Sequence, residues 1–152
     1  MCSSDLLEFN VRFGDPEVQA VMRRLDSDIV DMLLKVIDGK LAECDIKWKK
    51  EHAVSVVMAA GGYPESYRKG DVISGLQEAA ETGAVVFHAG TAFKDGEIVT
   101  AGGRVLGVSA LGETIQEAID NAYKAVAKIT WNDVFYRKDI AQKAIRRQNN
   151  GK

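Results

Sequence analysis

The hydrophobic pattern of this 152-residue chain changes at about Ile46, and the change limits the folds that are open to it. Before this point, apolar residues recur every three or four positions, as they do along one face of an amphipathic helix. After it, short apolar runs are broken by glycine, which is typical of strands joined by tight turns. The pattern predicts an α+β chain of two units, the second covering residues 46–152.

The first unit is predicted to contain a strand and two helices. Leu6–Val11 alternates in polarity like a half-buried strand. Asp15-Pro16-Glu17 is typical of a helix start, with an acceptor at the cap, proline where its missing N–H does no harm, and an acid near the positive end of the helix dipole. A second helix is expected to begin with Ser27 as its cap and to end at Gly39.

The second unit is predicted to be mixed α and β. A turn is expected at Gly61-Gly62-Tyr63-Pro64 and a hairpin turn at Asp95-Gly96. Strands are predicted at residues 53–60, 84–88 and 104–110, a hairpin over 92–100, a helix over 114–129 and a weaker helix over 137–147.

Composition excludes several classes of protein. With 46% hydrophobic and 28% charged residues the chain suits a globular fold. A net charge of -2 gives no general attraction to nucleic acid or to an anionic membrane. The two cysteines are too few for a disulfide framework, which favours a reducing compartment and hence the cytoplasm. No apolar run approaches the roughly 20 residues that span a bilayer.

Glu8 and Asn10 are the candidate metal ligands. They are two positions apart on a predicted strand, so their side chains share a face and present two oxygen donors. Magnesium prefers such hard donors and commonly shares them with substrate phosphates. Taken alone, the pair also fits an ordinary half-exposed strand.

The residues that follow make a phosphate-related site more specific. Arg12 and a glycine turn lead to the expected helix start at residue 15, which brings a cation and backbone N–H groups beside the two oxygen donors. Residues 7–19, Leu-Glu-Phe-Asn-Val-Arg-Phe-Gly-Asp-Pro-Glu-Val-Gln, resemble the metal-binding strand and following helix of phosphoribosylamine–glycine ligases.

Further segments resemble the same family in the same order, from Leu6 to about Ile145. They are Gly61-Gly62-Tyr63-Pro64 with Tyr67-Arg68-Lys69-Gly70, Val86-Phe87-His88-Ala89-Gly90-Thr91, Thr100-Ala101-Gly102-Gly103-Arg104-Val105-Leu106, and Tyr136-Arg137-Lys138-Asp139-Ile140. Because several spaced motifs agree in order, a chance match is very improbable.

The resemblance implies the tail of an ATP-grasp domain (residues 6–45) followed by a small mixed α/β C-terminal domain of the rotary single-hybrid type (46–152). It implies a ligase of purine synthesis that joins glycine to 5-phosphoribosylamine with ATP as co-substrate. In this family Glu8 and Asn10 would hold Mg²⁺ or Mn²⁺, and Arg12 would steady the acyl phosphate or the substrate. The upstream part of the same enzyme is then the partner of this chain, and no nucleic acid or membrane partner is expected.

Three departures qualify the resemblance. The glycine-rich and lysine-bearing parts that grip ATP in the family are missing, so the chain alone is expected to be inactive. Met1–Asp5 does not fit the family, and Cys2-Ser3-Ser4-Asp5-Leu6 resembles a translated sequencing adaptor, which predicts a non-native leader at residues 1–5. Ala141 stands where the family often has glycine.

Other noticeable residues are given no catalytic role. His88, at the end of a predicted strand, could be a base but fits a hydrogen-bonded structural residue better. Gly102-Gly103-Arg104 could bring N–H groups and a guanidinium to a phosphate, or could equally be a turn with a solvated arginine. The remaining predictions are a solvated loop at Tyr67-Arg68-Lys69, core or interface anchors at Trp48 and Trp131, and surface positions at Arg146 and Arg147.

Two alternatives remain open. One is another ATP-grasp enzyme, a carboxylate–amine ligase or a carboxylase, that shares the metal strand but differs in its C-terminal unit. The other is a noncatalytic binding or assembly module that uses residues 53–138 as a scaffold.

Overall fold

The computed structural model describes residues 12–150. The predicted leader, the strand predicted over residues 6–11 and the candidate ligands Glu8 and Asn10 lie outside these residues. The helices are α1 (Glu17–Arg24), α2 (Ile29–Ile37), α3 (Leu76–Ala80), α4 (Ile115–Val126) and α5 (Gln142–Asn150), with a 3-10 turn at Leu41–Glu43. The strands are β1 (His52–Ala59), β2 (Val85–His88), β3 (Thr91–Lys94), β4 (Glu97–Thr100), β5 (Arg104–Gly112) and β6 (Phe135–Tyr136).

A four-stranded antiparallel sheet, in the order β2-β5-β1-β6, organises the fold, and β3 and β4 form a separate hairpin. The hairpin turns at Asp95 and Gly96, whose φ angles of 50° and 88° suit the tight turn that matches the strand twist. This arrangement confirms the predicted α+β class.

The two faces of the sheet are covered differently. Val54 pairs with Ala110 and Val56 with Val108, and these side chains are at most 3% exposed beneath α4, whose own small residues complete the core. On the other face, α1 packs against β1 and β5 and buries none of its residues fully. The main core therefore lies between the sheet and α4, and α1 forms a thinner second layer.

The segment that contains α2 leaves the body of the fold and returns to it. The backbone pairs at its base, where the Asp26 N–H donates to the Lys47 carbonyl at 2.9 Å and the Lys49 N–H donates to the Arg24 carbonyl at 2.7 Å. Helix α2 has no buried residue, and Ile37 is 80% exposed. Its apolar side chains thus form an uncovered surface.

Several local predictions are corrected by the structure. The cap of α2 is Asp28, which accepts from the N–H of Val30 at 2.7 Å, whereas the Ser27 hydroxyl accepts from Lys47 N. The last helix begins at Gln142 and not at Arg137, because Arg137 and Asp139 form a local ion pair before it. Two short elements, α3 and β6, were not predicted.

Candidate functional site

Arg12 is the one predicted site residue within the described part of the chain. Its side chain is exposed, and its Nη1 donates to the neighbouring Phe13 carbonyl at 2.9 Å. The guanidinium therefore lies at the surface of the turn that leads into α1. Glu8 and Asn10 precede the described residues, so their distance from Arg12 stays a prediction.

The turn after Arg12 is held by backbone and side-chain bonds. Gly14 is buried, and its carbonyl accepts from Val18 N at 3.1 Å. Asp15 is not the cap of α1 as predicted: the cap residue is Pro16, and no side chain caps the helix. The Asp15 carboxylate accepts instead from Gln19 Nε2 at 2.9 Å, one turn further along the helix.

Arg104 supplies the link between this turn and the sheet. Its Nη1 donates to the Asp15 carbonyl at 2.8 Å, and its Nη2 lies 3.1 Å from Asp15 Oδ2. Both side chains are partly exposed. One guanidinium thus binds the main chain and the side chain of the same residue, an arrangement that suits the planar fork of arginine.

The glycines before Arg104 serve packing and do not form an open phosphate cradle. A Cβ on Gly103 would collide with the Tyr63 ring, and one on Gly90 would come within 2.6 Å of the Gly102 Cα. The N–H of Gly102 is also already used, since it donates to the Gly90 carbonyl at 3.0 Å. The segment is a bend followed by an exposed arginine, which is close to the second predicted alternative, but Arg104 is also paired with Asp15.

A groove of about 290 Å³ lies beside the turn, between the start of α1, the uncovered part of β1 and the segment around β6. Val57 and Ala59 are among its apolar lining residues, and Arg104 and Arg137 line it as well. The groove therefore offers an apolar floor with cations beside it, a combination that suits a small organic molecule with a polar end.

Tyr123 and Arg137 fix the far side of this groove. The Tyr123 hydroxyl donates to the Arg137 carbonyl at 2.6 Å and accepts from Ile140 N at 3.2 Å. Burial of the phenol raises the pKa of Tyr123 above its ordinary value. The hydrogen bond from Arg137 lowers the pKa of Asp139, and the Asp139 carboxylate raises the pKa of Arg137 in turn.

The other residues noted in the sequence have structural surroundings. His88 is exposed, and its Nδ1 lies 3.1 Å from Thr91 Oγ1, as expected for a hydrogen-bonded structural residue. Trp131 is a core residue at 6% exposure, whereas Trp48 is about half exposed. Arg68 pairs with Asp71 in a surface loop, and its pKa is raised chiefly by that hydrogen bond. Arg146 and Arg147 are surface residues, as predicted.

Over residues 12–150, no three or more histidine, cysteine, aspartate and glutamate side chains are grouped in a way that could hold a metal ion. The predicted ligands precede this range. None of the helices in the described range is both long and apolar enough to cross a membrane.

Known proteins resemble the chain over nearly its whole length. A phosphoribosylamine–glycine ligase of Vibrio parahaemolyticus is 50% identical over 143 residues, which are 94% of this chain and 33% of that protein. One of Escherichia coli O157:H7 is 52% identical over 147 residues, which are 95% of this chain and 34% of that protein. The chain therefore spans about a third of the length of these curated relatives.

Structure and family comparisons agree with this result. The crystal structure of a phosphoribosylamine–glycine ligase from Thermotoga maritima matches 88% of this chain and 32% of its own, with a TM-score of 0.70 and 34% sequence identity. The family model described as phosphoribosylglycinamide synthetase, C domain, matches residues 53–143, more than half of the chain. The chain therefore belongs to the phosphoribosylglycinamide synthetase family, of which it contains the C domain.

Proposed function

We propose that this chain is the C-terminal third of a phosphoribosylamine–glycine ligase of purine synthesis. The observation that carries the proposal is the identity of about half of the residues over 94% of the chain to proteins of that name. In the proposed reaction, the γ-phosphoryl group of ATP passes to the glycine carboxylate and gives glycyl phosphate and ADP. The amine of 5-phosphoribosylamine then attacks the acyl carbon, phosphate leaves, and glycinamide ribonucleotide is formed.

Residues at the start of the chain are proposed to bind the charged groups of this reaction. Glu8 and Asn10 supply a carboxylate and an amide oxygen, a donor set that suits Mg²⁺ or Mn²⁺. Such an ion, when bound, neutralises phosphate charge. Arg12 would hold the acyl phosphate or the substrate, because a guanidinium pairs well with a planar or tetrahedral anion. Its exposure at the surface of the turn supports this role.

The upstream part of the enzyme is proposed to complete the nucleotide site and to cover α2. Residues 6–45 would be the end of the ATP-grasp domain and residues 46–152 the C-terminal domain, in a cytoplasmic enzyme. Exposed apolar side chains on α2, among them Leu34 and Ile37, support a covering partner. Alone, the chain is expected to form no product, because positioning of the phosphoryl donor supplies much of catalysis.

A chimera tests the proposal. The upstream part of the E. coli O157:H7 relative is joined to residues 6–152 of this chain, and formation of glycinamide ribonucleotide, ADP and phosphate is measured. We expect activity from the chimera, and none from this chain or from the upstream part alone. The intact relative is the positive control.

The same experiment separates the alternatives. A folded chimera that makes no glycinamide ribonucleotide, while the intact relative does, would contradict the proposal. Turnover with a different carboxylate or amine would indicate another ATP-grasp enzyme. An inactive chimera with no nucleotide dependence by calorimetry would favour a noncatalytic module.

A further inference from the structure

The contact between Arg104 and Asp15 joins parts of the chain that are 89 residues apart. Arg104 is the first residue of β5, and Asp15 lies in the turn before α1. The two guanidinium contacts, at 2.8 Å to the Asp15 carbonyl and 3.1 Å to Oδ2, define both the position and the direction of the turn. A single point contact would define only a distance.

The arginine end of this contact is held by the sheet. The Arg104 carbonyl accepts from Gly90 N at 2.9 Å, and Arg104 pairs with Ala59 of β1. The neighbouring Val105 and Leu106 are at most 1% exposed. The Arg104 backbone is therefore anchored to the four-stranded sheet, next to fully buried residues.

The aspartate end lies three residues after Arg12. Between them, Gly14 is buried and is bonded to Val18, so the turn has little room to change shape independently. Asp15 is also held from the helix side by Gln19. Any displacement of Asp15 from the sheet would thus be passed to the backbone that carries Arg12.

The rest of the interface between α1 and the sheet is partly polar. Within the described residues, the buried atoms Gln19 Oε1, Arg23 Nε, Ser55 Oγ and Ser109 Oγ have no hydrogen-bond partner. Ser55 and Ser109 are cross-strand partners, on the face that α1 covers. Beside these polar side chains, the contact of Arg104 with Asp15 is a paired polar contact at the start of the helix.

We propose that Arg104 is a positioning residue that fixes the Asp15 turn to the four-stranded sheet and thereby sets the place of the Arg12 guanidinium. The inference rests on the proposed function, in which Arg12 binds the reacting anion. Arg104 itself touches Asp15 and acts only through the turn. The position of the Arg12 guanidinium in the active site is therefore determined by the C-terminal sheet.

Arg104→Lys in the chimera is the first test. Lysine keeps the charge but not the fork, so it can hold only one of the two Asp15 oxygens well. We expect kcat to fall roughly 10- to 100-fold, as for a misplaced reacting group, with little change in the KM for ATP. Arg68→Lys is the matched control, because Arg68 also binds one carboxylate through two nitrogens but only within a surface loop. The kcat of the Arg68→Lys chimera is expected to equal that of the unmodified chimera.

Coupling to Arg12 distinguishes positioning from general stabilisation. In an Arg12→Ala background, Arg104→Lys should reduce kcat by less than about twofold further, since the group that it positions is gone. If the kcat of the double variant falls by the product of the two single fold-losses, the inference is overturned. An Arg104→Lys chimera with unchanged kcat would also overturn it.

Amide exchange in this chain alone gives a second test that does not need activity. Arg104→Lys should raise exchange at the amides of residues 13–18, except Pro16, which has no N–H, and should leave the β1 and β5 amides unchanged. Arg68→Lys should change exchange at none of these amides. Unchanged exchange at residues 13–18 would overturn the inference even if the chimera is inactive. Inactivity of the unmodified chimera would instead contradict the proposed function.

Discussion

Ala141, the residue just before α5, has a φ angle of 63°, in the left-handed region that disfavours an alanine side chain. Glycine would remove this conformational cost, which is about 1 kcal/mol or more. The gain should exceed the free energy lost with one half-buried methyl group, which is less than about 0.8 kcal/mol. We therefore expect Ala141→Gly to raise the free energy of unfolding by a few tenths of a kcal/mol up to about 1 kcal/mol. Urea unfolding would measure it.

Ala144, the third residue of α5, is the matched control for this change. It is a regular helix position, and glycine there should lower the free energy of unfolding by about 1 kcal/mol. Opposite signs at positions 141 and 144 would establish the backbone effect. The same sign at both would mean that the conformation at Ala141 carries no net cost.

Glu8 and Asn10 are predicted to differ in their effect on the chimera. Glu8→Gln keeps the shape but removes a formal charge from the proposed cation site, so it should lower turnover strongly, and Asn10→Ala should lower it somewhat less. The double variant should lose less than the product of the two factors, because one lost ligand already loosens the ion. Wild-type turnover of both folded variants across a magnesium titration would make the pair structural.

The contact between Arg104 and Asp15 shows what sequence reasoning missed at this scale. The sequence singled out the turn around Asp15 and, separately, Gly102-Gly103-Arg104, but nothing in local spacing indicates that they meet. A charged pair 89 residues apart becomes visible only when the sheet brings β5 to the start of α1. The glycine pair was over-interpreted for the same reason, since its neighbours Tyr63 and Gly90 are remote in sequence.

Helices α2 and α4 are expected to differ in stability although both are amphipathic. Helix α4 buries Ala118, Ile119, Ala122, Ala125 and Val126, whereas α2 buries none of its residues. A nine-residue helix without tertiary packing is marginal in water. In the isolated chain, we expect hydrogen exchange to be close to the unfolded rate in α2 and slow in α4. Equal protection of the two helices would contradict this reading.

Tyr123 connects α4 to the segment before α5. Phenylalanine at this position would leave the Arg137 carbonyl and the Ile140 N–H without the hydroxyl that now serves both. We expect Tyr123→Phe to lower the free energy of unfolding by about 1 to 2 kcal/mol at pH 7.

The pH dependence gives this prediction a second measurement. Because burial raises the pKa of Tyr123 in the folded chain above the ordinary 10.0, folding favours the neutral phenol. Its contribution is fully present below pH 10 and is lost as pH rises through the raised value. Urea unfolding above pH 10 should thus show a smaller difference between Tyr123→Phe and the unmodified chain than at pH 7. A constant difference would exclude the linkage.

The elements that sequence predicted well are those with strong local signals. The hairpin follows from Asp95-Gly96, and α4 follows from its regular apolar spacing. The structure adds a cap at Thr114, whose hydroxyl accepts from Glu117 N at 3.1 Å. The short elements α3 and β6 were missed because five and two residues are too few to show a period. The last helix was predicted to begin too early because basic residues from position 137 resemble a helix face, whereas the backbone at Ala141 is in the left-handed region and separates these residues from α5.

Over the whole molecule, the sheet with α4 and the segment with α2 represent two kinds of structure. The first has a core of its own, in which Val56, Met58 and Val108 are fully buried. The second is closed at its base by backbone pairing between residues 24–26 and 47–49 and exposes its apolar residues. This contrast is what a piece of a larger enzyme should show if the proposed upstream domain packs on α2.

Covering of α2 by the upstream part predicts a change in its protection. In the chimera, the α2 amides should exchange far more slowly than in the isolated chain, because side chains such as Leu34 (55% exposed) and Ile37 (80% exposed) would then be buried. Full burial of two such side chains is worth roughly 3 kcal/mol or more. The double variant Leu34→Gln, Ile37→Gln should therefore remove much of that protection in the chimera.

In the isolated chain the same double variant should change the free energy of unfolding by no more than about 0.5 kcal/mol, since neither side chain is buried there. Phe93→Gln on β3, where the side chain is 74% exposed, is the matched control and should have a small effect in both proteins, because the proposed partner surface is α2 and not the hairpin. If α2 exchanges equally fast in the chimera and in the isolated chain, the upstream part does not cover it. Protection that survives the double variant would mean that other contacts hold the helix, and the apolar surface of α2 would then have to face something else.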